Sequence, residues 1–179
     1  ANVEEYNGTS WAEQNDIPAG SWKPGALGTQ TAALSVGGKV VTPEASTNIT
    51  LEYDGTNWTA GGNLGTARYG SVGGGTPNAG LAAVCFIVPN TGSILVENYD
   101  GTSWTAGTAL NTSRFGSANQ GGGTAKTSVL VYGGTSPYSG NTEKWNGTSW
   151  TETADMASVK ARFAGATANN TSAFAAGGG

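Results

Sequence analysis

Chemistry on a substrate needs groups that move protons, hold metals or attack bonds, and this chain is short of all three. It has no histidine, which removes the commonest general base and the commonest metal ligand together. Its one cysteine, Cys85, lies in the apolar run at residues 81–87 and reads as a small buried hydrophobe, with no intrachain disulfide possible. Asp54 and Asp100 each precede a glycine at positions that Asn7 and Asn146 fill elsewhere in the chain. Exchange of Asp with Asn says that turn geometry is required there and charge is not. A paired-carboxylate site therefore has little support, and a glycan hydrolase is a remote alternative. Gly73-Gly74-Gly75 and Gly121-Gly122-Gly123 lack the Gly-Lys-Ser/Thr and the helix of a phosphate loop, and read as close-packed turns between strands. No loop is dense enough in carboxylates to suggest calcium. No catalytic residue, metal or cofactor is expected, and the chain reads as a non-enzyme.

Binding chemistry has better candidates. Aromatic side chains offer large rigid faces on which sugars and side chains pack. Trp11, Trp58, Trp104 and Trp150 recur at a fixed period, so they read as core. Trp22 and Tyr138 fall outside that pattern, and they are the ligand-binding candidates.

The elements that must position these residues come from the repeat. Tyr6-Asn7-Gly8-Thr9-Ser10-Trp11 returns as Tyr53-Asp54-Gly55-Thr56-Asn57-Trp58, as Tyr99-Asp100-Gly101-Thr102-Ser103-Trp104, and as Trp145-Asn146-Gly147-Thr148-Ser149-Trp150. The first aromatics stand at 6, 53, 99 and 145, steps of 47, 46 and 46. An Asn-Gly or Asp-Gly pair between β-prone runs predicts a hairpin in which both residues take positive φ. The strand before this turn is C and the one after it is D. A strand A opens at an arginine–aromatic pair, as in residues 67–72, and an apolar strand B follows. B ends in Gly-Gly at 37–38, 133–134 and 177–178; in the second unit Ile87-Val88-Pro89 stands instead. Residues 152–160 have weak helical character, but their counterparts are polar loops, so they read as loop.

Four short strands in each repeat of this length is the signature of a β-propeller blade. The order Arg-aromatic, apolar strand, Gly-Gly, Val-Glu-x-Tyr-Asp and Trp resembles the kelch repeat. The copies of Tyr-Asp-Gly-Thr-Ser-Trp resemble, more narrowly, the kelch-like repeats of tail-fibre and structural proteins of marine bacteriophages. The resemblance covers essentially the whole chain. It implies an all-β single domain over residues 1–179, located on a virion or outside cells.

The blades fall at about 21–61, 67–107 and 113–153. The chain begins with a C–D pair (2–14) and ends with an A–B pair (161–178). Together these predict a composite fourth blade that closes a four-bladed ring. A longer array and a dimeric eight-bladed ring are the alternatives. Charge pairing points the same way. Arginines open strand A at Arg68, Arg114 and Arg162, and glutamates stand on strand C at Glu97, Glu143 and Glu4. The first unit has Trp22 and Leu51 at these places, so both charges are missing together. A buried unpaired charge is costly, on the order of 3–5 kcal/mol, so the residues read as ion pairs Arg68–Glu97, Arg114–Glu143 and Arg162–Glu4.

Composition narrows the partners. A net charge of −4 gives no basic footprint for nucleic acid. No apolar run reaches the ~18 residues of a membrane span. The chain opens on Ala1, which reads as a processed or excised segment. The expectation is a virion tail-fibre or appendage module that binds a host-surface glycan or protein receptor. The alternative is an architectural subunit contacting other virion proteins or further copies of itself as a homo-oligomer.

Overall fold

The computed structural model describes residues 2–87, 91–115, 125–134, 138–161 and 163–178. Its organising element is the hexapeptide turn. Tyr6 pairs with Trp11, Tyr53 with Trp58, Tyr99 with Trp104 and Trp145 with Trp150, each pair closing a four-residue loop. Within each loop the first side chain caps the turn. Asp54 Oδ1 accepts from the backbone N–H of Thr56 (2.8 Å) and Asn57 (2.7 Å), and Asn146 Oδ1 does the same for Thr148 and Ser149 (both 2.9 Å). Asp and Asn interchange because each presents this acceptor oxygen. Only the glycine takes positive φ, at +92° to +97° in the four copies. The two-residue turn expected from the sequence is thus replaced by a wider loop, because the side-chain acceptor supplies what a second left-handed residue would have.

The strands run in chain order. β1 (Val3–Tyr6) and β2 (Trp11–Gln14) form a hairpin. β3 (Gly25–Thr29), β4 (Ala32–Val36), β5 (Lys39–Val41), β6 (Glu44–Ser46), β7 (Thr50–Tyr53) and β8 (Trp58–Ala60) follow. The next are β9 (Val72–Thr76), β10 (Ala79–Ala83), β11 (Phe86–Ile87), β12 (Thr91–Gly92), β13 (Glu97–Tyr99) and β14 (Trp104–Ala106). The last are β15 (Leu130–Tyr132), β16 (Thr142–Trp145), β17 (Trp150–Thr153), β18 (Ala164–Asn169) and β19 (Ser172–Ala176). The fold is all-β, with no helix among the described residues.

Two antiparallel sheets have the same four-strand order, β3-β4-β7-β8 and β9-β10-β13-β14. A third, β15-β16-β17, is described with three strands. Residues 116–124, with Gly121–Gly123, lie outside the described residues. β5–β6 and β11–β12 are small hairpins between the second and third strands of their sheets. The register repeats: Ala33 faces Tyr53, Gly80 faces Tyr99, and Trp145 N–H donates to Val129 C=O. β1–β2 and β18–β19 are separate two-stranded sheets.

Strand A begins later than the sequence suggested. In the second unit it is β9, and Gly73–Gly75 lie within it rather than in a turn. Glycine is used there because the first strands of neighbouring sheets approach closely. A Cβ on Gly73 would sit 3.0 Å from Leu27 Cδ2, and one on Gly25 would sit 3.0 Å from Ser71 Cβ. The Gly-Gly bend of the second unit is also relocated. Tyr69 exchanges backbone hydrogen bonds with Phe86 as Trp22 does with Lys39, so Val84-Cys85 occupy the places of Gly37-Gly38. Val84 keeps the left-handed backbone (φ 44°) that Gly37 has at 64°. Val88-Pro89 lie outside the described residues.

The sheets are tied by the repeated aromatics. Leu27, Leu34 and Val36 of the first sheet bury Tyr99 and Trp104 of the second. Trp104 Nε1–H donates to Thr50 Oγ1 (2.8 Å), and Trp150 Nε1–H to Thr108 C=O (3.0 Å). Tyr53 O–H donates to Glu5 (2.8 Å) and Tyr99 O–H to Glu52, one sheet back in each case. Burial and the Glu52 bond push Tyr99 up to about 12. The tryptophans are not equivalent in burial: Trp104 and Trp150 are buried, Trp58 is half-buried, and Trp11 is exposed.

Candidate binding face

One side of the structure carries the connections that enter the first strand of each sheet and those that join the second strand to the third. The entering connection is fixed by buried charge. Arg68 Nη2 pairs with Glu97, whose carboxylate also accepts Gly65 N–H (2.7 Å). Arg114 Nη2 pairs with Glu143 at 2.7 Å, and Glu143 also accepts from the N–H of Asn111 (2.8 Å) and Thr112 (3.2 Å). All four side chains are buried. Burial pulls the Arg114 pKa down from its ordinary value, and Glu143 opposes the shift. Each carboxylate thus clamps one crossover loop onto the third strand of its own sheet.

In the first unit the position equivalent to arginine is Ser21, not Trp22. Trp22 pairs with Lys39 as Tyr69 pairs with Phe86, which sets Trp22 one residue further along. The spacing from Trp11 to Ser21 equals that from Trp58 to Arg68, and it sets Pro18 level with Gly65. Proline has no N–H to offer a carboxylate. Three parts of the clamp are therefore absent at once: the donor N–H, the arginine and the glutamate, whose place Leu51 takes. A void of about 40 Å³ lined by Ser21, Ser35, Gly37 and Leu51 remains. In the terminal segments Glu4 is exposed on β1, and Arg162 lies outside the described residues.

The aromatic after each of these positions faces its neighbour. Trp22 and Tyr69 have ring centroids 6.0 Å apart, Tyr69 and Phe86 stack at 4.7 Å and 4°, and Phe86 meets Phe115 at 5.0 Å. Trp22 ends this row and is 50% exposed, whereas Tyr69 is buried. Its backbone is fixed by two 2.9 Å bonds with Lys39. Lys23, with φ 49°, holds its ammonium 4.5 Å from the Trp22 ring centre, and the Lys39 ammonium lies 5.6 Å from it. Lys39 is itself bound to Glu44 on β6 at 2.6 Å, a bond that raises its pKa. Trp22 is thus a half-open indole with a paired backbone and two ammonium groups over its ring. Each such cation–π contact is worth about 0.5–1 kcal/mol at an exposed site.

Tyr138, 55% exposed, stands at a cleft of about 420 Å³ lined by Thr112, Arg114, Asn141, Asp155 and Met156. Hydroxyl, amide and carboxylate groups under an aromatic lip suit ligands rich in hydroxyls. Among the described residues no ring contact joins Trp22 to Tyr138, so they form two separate patches. The sequence alone did not single out Lys23, Lys39, Glu44 or Phe86. Lys23 adjoins Trp22 in the chain and turns back over its ring through a left-handed backbone, while Lys39 joins only once β5 folds back along Trp22, a pairing that spacing does not reveal.

The groups weighed for catalysis are placed otherwise. Backbone N–H bonds from Asn57 and Thr56 hold Asp54 below the usual carboxylate range, and Ser103 and Thr102 do so for Asp100. Cys85 is buried, and burial raises its thiol pKa. Among the described residues no three His, Cys, Asp or Glu side chains gather as metal ligands. No protein-family model matches the chain, and no curated protein matches it.

Proposed function

We propose that this chain is a kelch-like β-propeller module of a virion appendage that binds a host-surface glycan or protein without catalysis. Its sheets act as blades, and the terminal hairpins β1–β2 and β18–β19 supply the two halves of a further composite blade. The observation that carries the binding role is Trp22, the half-exposed end of the ring row, with its backbone bonded to Lys39 and the Lys23 and Lys39 ammoniums over its ring. A pre-ordered aromatic face loses little conformational entropy when a ligand stacks on it. The Tyr138 cleft supplies a second contact rich in hydrogen-bonding groups. The phage assignment rests on the resemblance of the hexapeptide repeats, and fold alone does not fix function.

An architectural role within a virion or extracellular assembly is the second reading, favoured by the exposed aromatics Tyr6, Trp11 and Phe174 on the terminal hairpins. Probing an array of surface glycans and host-surface proteins separates the two. Binding that is lost in Trp22→Ala or Tyr138→Ala supports attachment; silence across the array supports the architectural role.

A further inference from the structure

A cleft of about 400 Å³ lies between the third sheet and β18–β19, lined by Leu130, Tyr132, Thr142, Lys144, Met156 and Phe174. The repeated register tells what belongs in it. Leu130 and Tyr132 stand where Leu34 and Val36 stand in the first sheet, and Ala175 stands where Ala82 stands. Leu34, Val36 and Ala82 are covered by Tyr99 and Trp104 of a β13–β14 hairpin. The matching hairpin for the open cleft is β1–β2, whose Tyr6 and Trp11 are 47% and 66% exposed. Phe174 is 65% exposed for the complementary reason, since its counterpart Leu34 is 1% exposed.

Within one chain these halves are not paired as strands, and Tyr6 and Trp11 stay uncovered. β1–β2 is held at the first sheet by Tyr53–Glu5 and by Gln30, which donates to Glu5 (3.1 Å) and Tyr6 C=O (3.4 Å). β18–β19 is held at the third sheet by Tyr132 O–H donating to Phe174 C=O (3.0 Å). No pairing joins β19 to β1. Each chain therefore presents one unpaired donor hairpin and one open acceptor cleft, the two complementary parts of a heterologous, head-to-tail contact.

We infer that the cleft and the free edge of β19 receive the β1–β2 hairpin of a second copy, completing a four-stranded sheet β18-β19-β1-β2 across the interface. This rests on the blade reading proposed above. The register follows from Val36 facing Thr50 and Tyr132 facing Thr142, so Ala176 faces Val3, Phe174 faces Glu5 and Ala173 faces Tyr6. Trp11 Nε1–H then reaches Thr142 Oγ1, as Trp104 reaches Thr50. Tyr6 comes to Lys144 where Tyr53 and Tyr99 meet glutamates.

Cysteine pairing tests this directly. Val3 and Ala176 fall at a non-hydrogen-bonded pair of the completed sheet, where side chains lie closest and a disulfide spans most easily. The native Cys85 is buried and does not compete. Full-length Val3→Cys and Ala176→Cys chains are mixed and oxidised, and the double variant is oxidised alone at low concentration. The expected result is a two-chain disulfide in the mixture, with yield reduced about tenfold or more when Trp11→Ala is added to the Val3→Cys chain. A double variant that links only within itself overturns the second-copy assignment while leaving the composite sheet intact. No link in either format overturns the composite sheet together with the blade reading on which it rests.

Discussion

The buried Arg114–Glu143 clamp offers the sharpest perturbation, because the first unit supplies its natural replacement. Glu143→Leu leaves the Arg114 guanidinium buried at 2% exposure and strips Asn111 and Thr112 N–H of their acceptor. Removing one partner of a buried pair costs about 3–5 kcal/mol. Adding Arg114→Ser recreates the Ser21/Leu51 arrangement and removes the orphaned charge. The remaining penalty is a void like the one beside Ser21, about 40 Å³. At ~24 cal/mol per Å³ that is about 1 kcal/mol, with a further ~1 kcal/mol for the loop N–H groups. The double variant should therefore be about 1–3 kcal/mol more stable than Glu143→Leu alone, and the coupling in the cycle exceeds this difference by the cost of Arg114→Ser alone. Adding Asn111→Pro, after Pro18, should recover part of the loop term. Urea unfolding midpoints at constant m-value measure all five chains: the parent, the two single changes, the double and the double with Asn111→Pro. If the two single changes add within about 0.5 kcal/mol, the clamp is not a coupled unit and the reasoning fails.

Hexapeptides that differ only in Asn7 against Asp100 should also differ in energy according to burial. Trp104→Ala should cost about 3–5 kcal/mol, whereas Trp11→Ala, measured in dilute solution, should cost well under 1 kcal/mol; thermal or urea unfolding compares them. Asp54 and Asp100 have pKa values lowered by backbone N–H bonds, so their contribution is present above the unfolded value of about 3.9 and lost as pH falls through the folded one. Asp54→Asn with Asp100→Asn keeps the turn acceptors and should flatten the acid limb of a stability–pH profile below about pH 4; an unchanged limb contradicts this. Tyr99→Phe removes the donor to Glu52 and the acceptor for Gly62 N–H, and should destabilise by about 1–2 kcal/mol in the same unfolding assay.

The repeat made much of the architecture legible. A fixed spacing of the hexapeptide located every C–D hairpin, and the joint presence of Arg and Glu located the Arg68–Glu97 and Arg114–Glu143 clamps, while Arg162 of the third expected pair lies outside the described residues. What escaped was local geometry that only the fold defines. The first strands start after the arginine–aromatic pair, because those residues are committed to the clamp and the ring row, while the glycines beyond them make the close approach between sheets. Val84 hid the second bend, since a β-branched residue is a poor sequence marker for left-handed backbone. The sequence set Trp22 outside the repeat, whereas its pairing with Lys39 gives it the place of Tyr69, and Lys39 became its neighbour only through the β5–β6 hairpin.

Attachment through the Trp22 face is tested most directly by the indole N–H signals of the six tryptophans in an NMR titration with surface glycans and host-surface proteins. Binding there shifts the Trp22 signal together with the Lys23 and Lys39 amides, and leaves Trp58, Trp104 and Trp150 in place. Movement of those repeat tryptophans with Trp22 unmoved, or no movement of any indole across the panel, would contradict it.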